Sequence, residues 1–322
     1  MKFTVLVITY NSDWKKLRLT LESVVRQKME DYEVVVADDA SKENHFDKIR
    51  QFFCAHGFEN YQLVGNETNH GTVKNLLSGL AVTSGKYVKF IGAGDALYEE
   101  ETLQKVYDFM EENRYECCFG LMQGFQMKNA DSVTKLTFCH PFDMDAYRQN
   151  KQDKIIRNLV LYSDNTCGAS ICYRTDFAIA YMNRIQADVV YEEDIFQVLS
   201  ALEGRQVQLF DDYMVWYEVS AGVSAKGHSR FAELLQQDVA RFYKRLYEQY
   251  GDNRYVKKRY KLRKVYKINN LYLRTLLRFF VNPGALGYVV NTMMQRRRKV
   301  HGSKSQTAGF LDREAFLQSL HE

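Results

Sequence analysis

The first hundred residues constrain the fold most tightly, because they switch repeatedly between two periodicities. Residues 3–9 are a short apolar run bounded by polar residues, and runs at 33–37, 61–64 and 87–91 repeat it. Between the first two, Trp14, Leu17, Leu21, Val24 and Val25 recur at helical spacing behind Ser12 or Asp13, either of which can cap a helix. A second helix is predicted near 44–56. A third follows Gly71, with Leu76, Leu77, Leu80 and Ala81 on one face and Gly85 as its stop. Short strands alternating with helices predict an α/β fold, with a mostly parallel sheet and helices on both faces. The opening MKFTVLVITYN therefore reads as a strand; for a secretory leader its apolar run is short, and no small-residue cleavage site follows.

In such sheets ligands bind outside the carboxyl ends of the strands. Thr9, Tyr10 and Asn11 close the first strand, Asp38 and Asp39 the second, and Gly94 and Asp95 the fourth. Polar residues at three ends of one rim predict a site. Lys74, in the first turn of the third helix, adds a positive charge. Each residue also has an ordinary reading: Asp95 as the cap of a helix over 97–110, Asp38-Asp39 as a solvated turn, Lys74 as a surface lysine. Together they suit a nucleotide diphosphate with a divalent cation, Mn2+ or Mg2+, which binds through one or two carboxylates, phosphate oxygens and water. A second acidic set, Glu192, Glu193 and Asp194 after Tyr191, opens a helix-like stretch over 192–202. Three acids there either satisfy a helix dipole or supply a general base.

Beyond residue 99 a helix is followed by strand-like runs at 117–126, 133–138, 169–173, 206–210 and 213–219, and from about 228 the pattern is helical to the end. A domain boundary is placed near 226, giving units of 1–225 and 226–322. The six cysteines show no metal-binding spacing and lie mostly in apolar runs, which suits reduced thiols in a cytoplasmic protein. Net charge is only +4, yet residues 241–304 hold 18 Lys/Arg against Glu248 and Asp252, so the rest of the chain is acidic. This tail interleaves its charge with aromatics. Its uncharged stretch 279–294 contains Asn282, Pro283, Gly284 and Asn291 and falls short of the ~20 apolar residues of a membrane span. No nucleic-acid-binding module accompanies it. An in-plane membrane-surface helix is the favoured expectation, and a helical cap packed on the catalytic domain the alternative. Residues 310–320 predict one more short amphipathic helix, preceded by a stretch expected to be partly flexible.

Four stretches, in order, resemble the family 2 glycosyltransferases: VLVITYN at the opening strand; LESVVRQKMEDYEVVVADDAS up to the acidic pair; NHGTVKNLLSGLAVTSGKYVKFIGAGD through the metal-binding motif; and EEDIFQVLSAL at the helix bearing the catalytic acids. The resemblance covers residues 1–225 and implies a GT-A fold and an inverting transfer of a sugar from a nucleotide-diphospho-sugar, with UDP favoured. It implies a divalent cation at Asp95, a nucleoside facing Thr9 and Asp39 with Asp38 adjoining, and Asp194 as general base with Glu193 in reserve. Tyr10, Asn11, Lys74 and Gly94 complete the implied nucleotide site, Lys74 standing where relatives carry arginine. GAGD departs from the family pattern, because Gly92 and Gly94 replace acids, and no histidine occurs over 216–220, so no second protein ligand is assigned. The implied acceptor is a glycan or lipid-linked glycan of surface polysaccharide assembly, met by a peripheral protein at the inner face of the cell membrane, with no nucleic-acid partner. The competing expectation is a non-catalytic sugar-nucleotide-binding or scaffolding protein derived from this family.

Overall fold

In a computed structural model that describes residues 1–129, 132–136, 140–219, 229–297 and 308–320, four strands form the centre of the sheet. They are β1 (Phe3–Thr9), β2 (Tyr32–Asp38), β3 (Tyr61–Gly65) and β4 (Tyr87–Gly92), connected by α1 (Trp14–Val25), α2 (Phe46–Ala55) and α3 (Thr72–Leu80). β1 pairs in parallel with β2 and β4, and β2 with β3. Asp13 is the residue that caps α1, accepting from the Lys15 and Lys16 N–H groups. α3 ends at Leu80 rather than running to Gly85. Gly85 serves a close approach instead: a Cβ there would lie within 2.6 Å of Phe3 and Thr4 atoms at the start of β1.

The chain then departs from simple alternation. Past β4 it forms β5 (Ala96–Leu97), and only afterwards α4 (Thr102–Asn113), so the helix expected from 97 starts five residues later. Next come β6 (Cys117–Asn129), β7 (Ser132–Leu136), α5 (Met144–Arg148), α6 (Gln152–Tyr162), β8 (Ile171–Arg174), α7 (Thr175–Ile185), α8 (Phe196–Leu202) and β9 (Gln208–Glu218). The two strands expected over 206–219 are one strand, whose register against β6 is irregular near Gly120 and Leu121. The strand order is β3-β2-β1-β4-β8-β6-β9-β5, with β7 on β6. β8 is antiparallel to both β4 and β6, and β9 is parallel to β6, so β9 points its carboxyl end to the same rim as β1 to β4.

Alternate strand residues feed two apolar layers, as a pleated sheet covered on both faces requires. Val5, Val7, Val34 and Val36 pack under α1, α2 and α4, whereas Leu6, Val35 and Phe90 pack under α3 and α6 to α8. The second layer continues into α9 (Ser229–Tyr250) and α10 (Arg254–Tyr266) through Phe242, Leu246, Val256 and Leu262. Burying each such side chain contributes about 1.5–3 kcal/mol. Further helices are α11 (Leu271–Val281), α12 (Gly284–Arg297) and α13 (Glu314–Ser319). The helix expected over 310–320 forms as a 3-10 turn and α13, and Phe310, Leu311 and Phe316 pack back on Tyr98 and Trp216. Residues 305–307, where flexibility was expected, the boundary expected near 226, and Cys139 lie outside the described residues.

Candidate active site

Parallel register brings the strand ends level. Thr9 pairs opposite Asp38, Asp38 opposite Gly65, and Ile8 opposite Gly92. Over this rim opens a cleft of about 960 Å³, the size of a small-molecule site. It is lined by Thr9, Tyr10, Asn11 and Asp39, by Gly71 just before α3 and Asn75 within it, by Gly92, Ala93 and Asp95, by the 167–169 loop, by Glu192 to Asp194, and by Tyr217 and Glu218.

Asp38 and Asp39 are buried, not a solvated turn. Thr9 Oγ1 donates to Asp38 at 2.8 Å, and the Ser41 N–H and Oγ donate to it at 2.8 and 2.6 Å. Asp38 thus ties the end of β1 to the turn after β2, and it does not itself line the cleft. Asp39 accepts from Asn66 Nδ2 at 3.0 Å, the His70 N–H at 3.0 Å and the Gly71 N–H at 2.7 Å, fixing the turn that starts α3. Lys74 is exposed on α3 and is not a cleft-lining residue.

Asp95 caps no helix. The chain turns back through Gly94, whose φ of +110° favours glycine, and Ala96 and Leu97 pair antiparallel with Trp216 and Val215 of β9. This reversal sets Asp95 against the end of β9, where the Glu218 N–H donates to Asp95 Oδ1 at 2.9 Å. The Glu218 carboxylate accepts from Lys16 Nζ at 3.0 Å. Desolvation pushes the Asp95 carboxyl up to about 7; the Glu218 charge adds to this, while the Glu218 N–H, Lys89 and Lys16 oppose it. Lys89, wholly buried in β4, donates to the Phe90 and Ala169 carbonyls, and burial lowers its pKa. Among the described residues no cluster of three or more His, Cys, Asp or Glu converges on a metal position. Asp95 with Glu218 nevertheless fits Mg2+ or Mn2+, which take one or two carboxylates and complete their shell with phosphate oxygens and water.

Glu192, Glu193 and Asp194 line the same cleft. Glu193–Ile195 is a 3-10 turn that runs straight into α8, so Glu193 and Asp194 stand in the first turn of one helical stretch, where the helix dipole also favours negative charge. Asp194 sits near Asn165 and the Gly168 N–H, and its Oδ1 is buried without a hydrogen-bond partner among the described residues. Desolvation, then the charges of Glu192 and Glu193, raise the Asp194 carboxyl well above the usual range. Desolvation likewise pushes Glu193 up to about 7. The segment is held from behind by α9: buried Asp238 accepts from the Val190, Tyr191 and Glu192 N–H groups at 3.0, 2.6 and 3.2 Å. A buried carboxylate with raised proton affinity and one unpartnered oxygen, lining the same cleft as a second carboxylate pair, can accept a proton from a hydroxyl bound there.

Of the residues singled out in the sequence, Thr9, Tyr10, Asn11, Asp39, Asp95, Glu193 and Asp194 meet in the cleft; Asp38, Lys74 and Gly94 do not line it. Glu218 and Asp238 escaped sequence reasoning. The one available signal for Glu218 was an acid at a strand end within 216–220, where a histidine had been sought.

Comparison with known proteins accords with this geometry. The chain is 23% identical over 228 residues to the poly(ribitol-phosphate) beta-glucosyltransferase of Bacillus spizizenii, covering 68% of this chain and 32% of that one. It is 30% identical over 172 residues to a PGL/p-HBAD biosynthesis glycosyltransferase of Mycobacterium bovis, covering 53% and 59%. The chain thus spans less than two thirds of the length of these relatives. The crystal structure of GalNAc-T7 with UDP, GalNAc and Mn2+ shares the fold at a TM-score of 0.57 and 13% identity, covering 87% of this chain and 54% of that one. The glycosyl transferase family 2 model matches residues 4–174, more than half the chain. With a GT-A-type α/β core and this match, the chain belongs to glycosyl transferase family 2.

Proposed function

We propose that the protein transfers a sugar from a nucleotide-diphospho-sugar, a UDP-sugar, to a hydroxyl of a polysaccharide or glycolipid acceptor, inverting the anomeric configuration. The observation that carries this reading is that Asp194 and the Asp95–Glu218 pair line one and the same cleft. The nucleoside lies against Thr9, Tyr10, Asn11 and Asp39. Asp95 and Glu218 would hold a divalent cation, which would supply charge to offset that of the diphosphate. Asp194 takes the proton of the acceptor hydroxyl as its oxygen bonds to the anomeric carbon, the bond to phosphate breaks, and the nucleoside diphosphate leaves. Lys74 contributes no direct contact in this scheme. A relative named for glucosylation of poly(ribitol-phosphate) and one named for PGL/p-HBAD biosynthesis support the acceptor class, and the UDP and Mn2+ of GalNAc-T7 support the donor and the cation. A peripheral position at the inner face of a membrane belongs to the same proposal.

The test is thermal stability with UDP, GDP, CDP and dTDP, each with and without Mn2+, for the wild type, Asp95→Ala and Glu218→Gln. A ligand that binds only the folded state raises its stability with occupancy. UDP should stabilise the wild type most, Mn2+ should add to it, and both variants should lose the Mn2+ increment. A full increment in Glu218→Gln would leave Asp95 as the lone protein ligand.

The raised carboxyls also set the pH response. Transfer needs Asp194 ionised, and burial with the neighbouring acids raises its carboxyl, so the rate should begin to fall well above the ordinary carboxylate value of about 4 as pH drops. Stability runs the other way. A carboxyl whose folded pKa is raised favours the folded state while protonated, and that contribution is lost as pH rises through the folded value. For Glu193 that value is about 7. Glu193→Gln should therefore melt above the wild type at pH 8, with the gap closing below about pH 4, under the unfolded value. Parallel melting curves across that range would show that Glu193 is not strained by its desolvation.

A further inference from the structure

α11 and α12 are built inside out. Tyr272, Leu276, Phe279 and Phe280 are exposed along one stripe of α11, at 86%, 59%, 39% and 82%. Leu286, Val290, Met293 and Met294 repeat the i, i+4, i+7, i+8 spacing on α12, at 57%, 48%, 58% and 51% exposed. Their opposite faces are the seated ones. Val281 packs on the main core, Ala285 and Thr292 are buried, and Tyr288 stacks on Tyr162 of α6 with ring centroids 4.1 Å apart. An apolar surface of this extent in a water-facing position marks an interaction site.

Charge identifies the occupant. Between Asp252 and Asp312 the sequence holds 15 Lys/Arg and no Asp or Glu. α10 buries Val256, Leu262 and Val265 and presents Lys257, Lys261 and Lys264 outward, leading directly into α11. A second copy of the chain would bring two such basic segments together, which their mutual repulsion opposes. An anionic bilayer satisfies both properties at once, taking the stripes among its acyl chains and the lysines among its headgroups. Among the described residues no helix is long and apolar enough to cross the bilayer, so the contact is one of lying on it.

The face connects to the chemistry through a short chain of contacts. Tyr288 reaches the buried Asp164, which accepts from the Phe142 and Asp143 N–H groups. The next residue, Asn165, is the neighbour of Asp194. The docking helices are therefore braced against the loop beside the proposed base, where a lipid-carried acceptor would present its hydroxyl.

We propose that the α11–α12 face docks on an anionic lipid surface. This deepens the peripheral placement proposed above and rests on that reading only for the acceptor, because docking is measured without sugar transfer. The experiment is cosedimentation of the full chain with vesicles of phosphatidylcholine alone and of phosphatidylcholine with phosphatidylglycerol. The proteins are the wild type, Leu276→Ser/Phe280→Ser, Lys261→Gln/Lys264→Gln and Asp194→Asn. Binding is expected only with phosphatidylglycerol and should weaken with salt. The apolar double variant should partition at least about tenfold less, the burial of two large side chains being forfeited. The lysine variant should bind more weakly at a given salt concentration. All the substituted side chains of these two variants are exposed, so their melting temperatures should match the wild type. Asp194→Asn should bind as the wild type does, which separates docking from catalysis. Undiminished binding by Leu276→Ser/Phe280→Ser would overturn the proposal, as would a wild type indifferent to phosphatidylglycerol. A dimer in solution that this same variant dissolves would also overturn it, assigning the face to a second copy.

Discussion

Asp194→Asn is expected to lower kcat by about 10²- to 10⁴-fold, the usual contribution of a positioned general base, with little change in UDP binding. The substitution keeps the shape of the side chain and removes only the charge and the proton affinity. Its surroundings make the loss specific. Oδ1 has no hydrogen-bond partner among the described residues, so no structural bond of that oxygen is broken by the amide. The carboxyl is desolvated and faces the charges of Glu192 and Glu193, and removing one charge relieves that repulsion. The variant should therefore melt at or above the wild-type temperature near pH 8 while turning over far more slowly. Steady-state rates with a UDP-sugar, alongside UDP-induced thermal shifts, separate the cases. Retained turnover with Asp194→Asn but not with Glu193→Gln would move the base one residue back. A wild type that binds UDP yet transfers nothing would favour the non-catalytic, sugar-nucleotide-binding reading.

The half of the site lying on β1 to β4 was legible in the sequence because its elements are local. Each strand and helix there is specified by its own periodicity, and a parallel sheet carries the strand ends to one rim without further information. Asp95 shows where that logic stops. A strand, a glycine-rich turn and an acid before an apolar-periodic stretch are equally consistent with a helix cap and with a cleft carboxylate. What decides is the pairing of Ala96 and Leu97 with β9, more than a hundred residues later. Glu218 is hidden for the same reason: it becomes part of the site only through that strand. The acids at 192–194 read as a helix start because an apolar-periodic stretch follows them, and Glu193 and Asp194 do stand in the 3-10 turn that leads into α8; the burial that raises their carboxyls has no signature in the sequence. α6 and α7 went unread although Phe177, Tyr181, Met182 and Ile185 keep helical spacing. Their aromatic and β-branched content argues for strands by residue type, and burial against the sheet overrides that preference.

The domain boundary drawn near 226 from charge and periodicity leaves one residue on the helical side that should matter as much as any in the cleft. Asp238 lies on α9, is 1% exposed, and spends one carboxylate oxygen on three successive backbone N–H groups at 190 to 192, while Arg241 engages the other. Residues 190–192 belong to no helix or strand, and beside the Val73 N–H of α3, which donates to the Val190 carbonyl, the carboxylate takes the place of a helix turn or a strand neighbour. Asp238→Ala would leave three N–H groups without their acceptor, and hydrogen bonds to a charged group contribute roughly 1.5–3 kcal/mol each. Water entering at the cleft wall recovers part of this, and the expected net loss is about 2–4 kcal/mol, in the range reserved for a broken buried network. The effect on transfer should exceed what stability explains, because displacement of about 1 Å in a reacting group can cost a hundredfold. Asp238→Asn separates the two contributions: the amide oxygen still accepts and holds the turn, so activity should recover more than stability, which also depends on the charge facing Arg241. Denaturant unfolding and kcat measured on both variants, under conditions where each is fully folded, provide the comparison. If Asp238→Ala lowers stability but leaves kcat of the folded fraction unchanged, α9 is only a buttress, and Asp194 is positioned by its own turn and by Asn165.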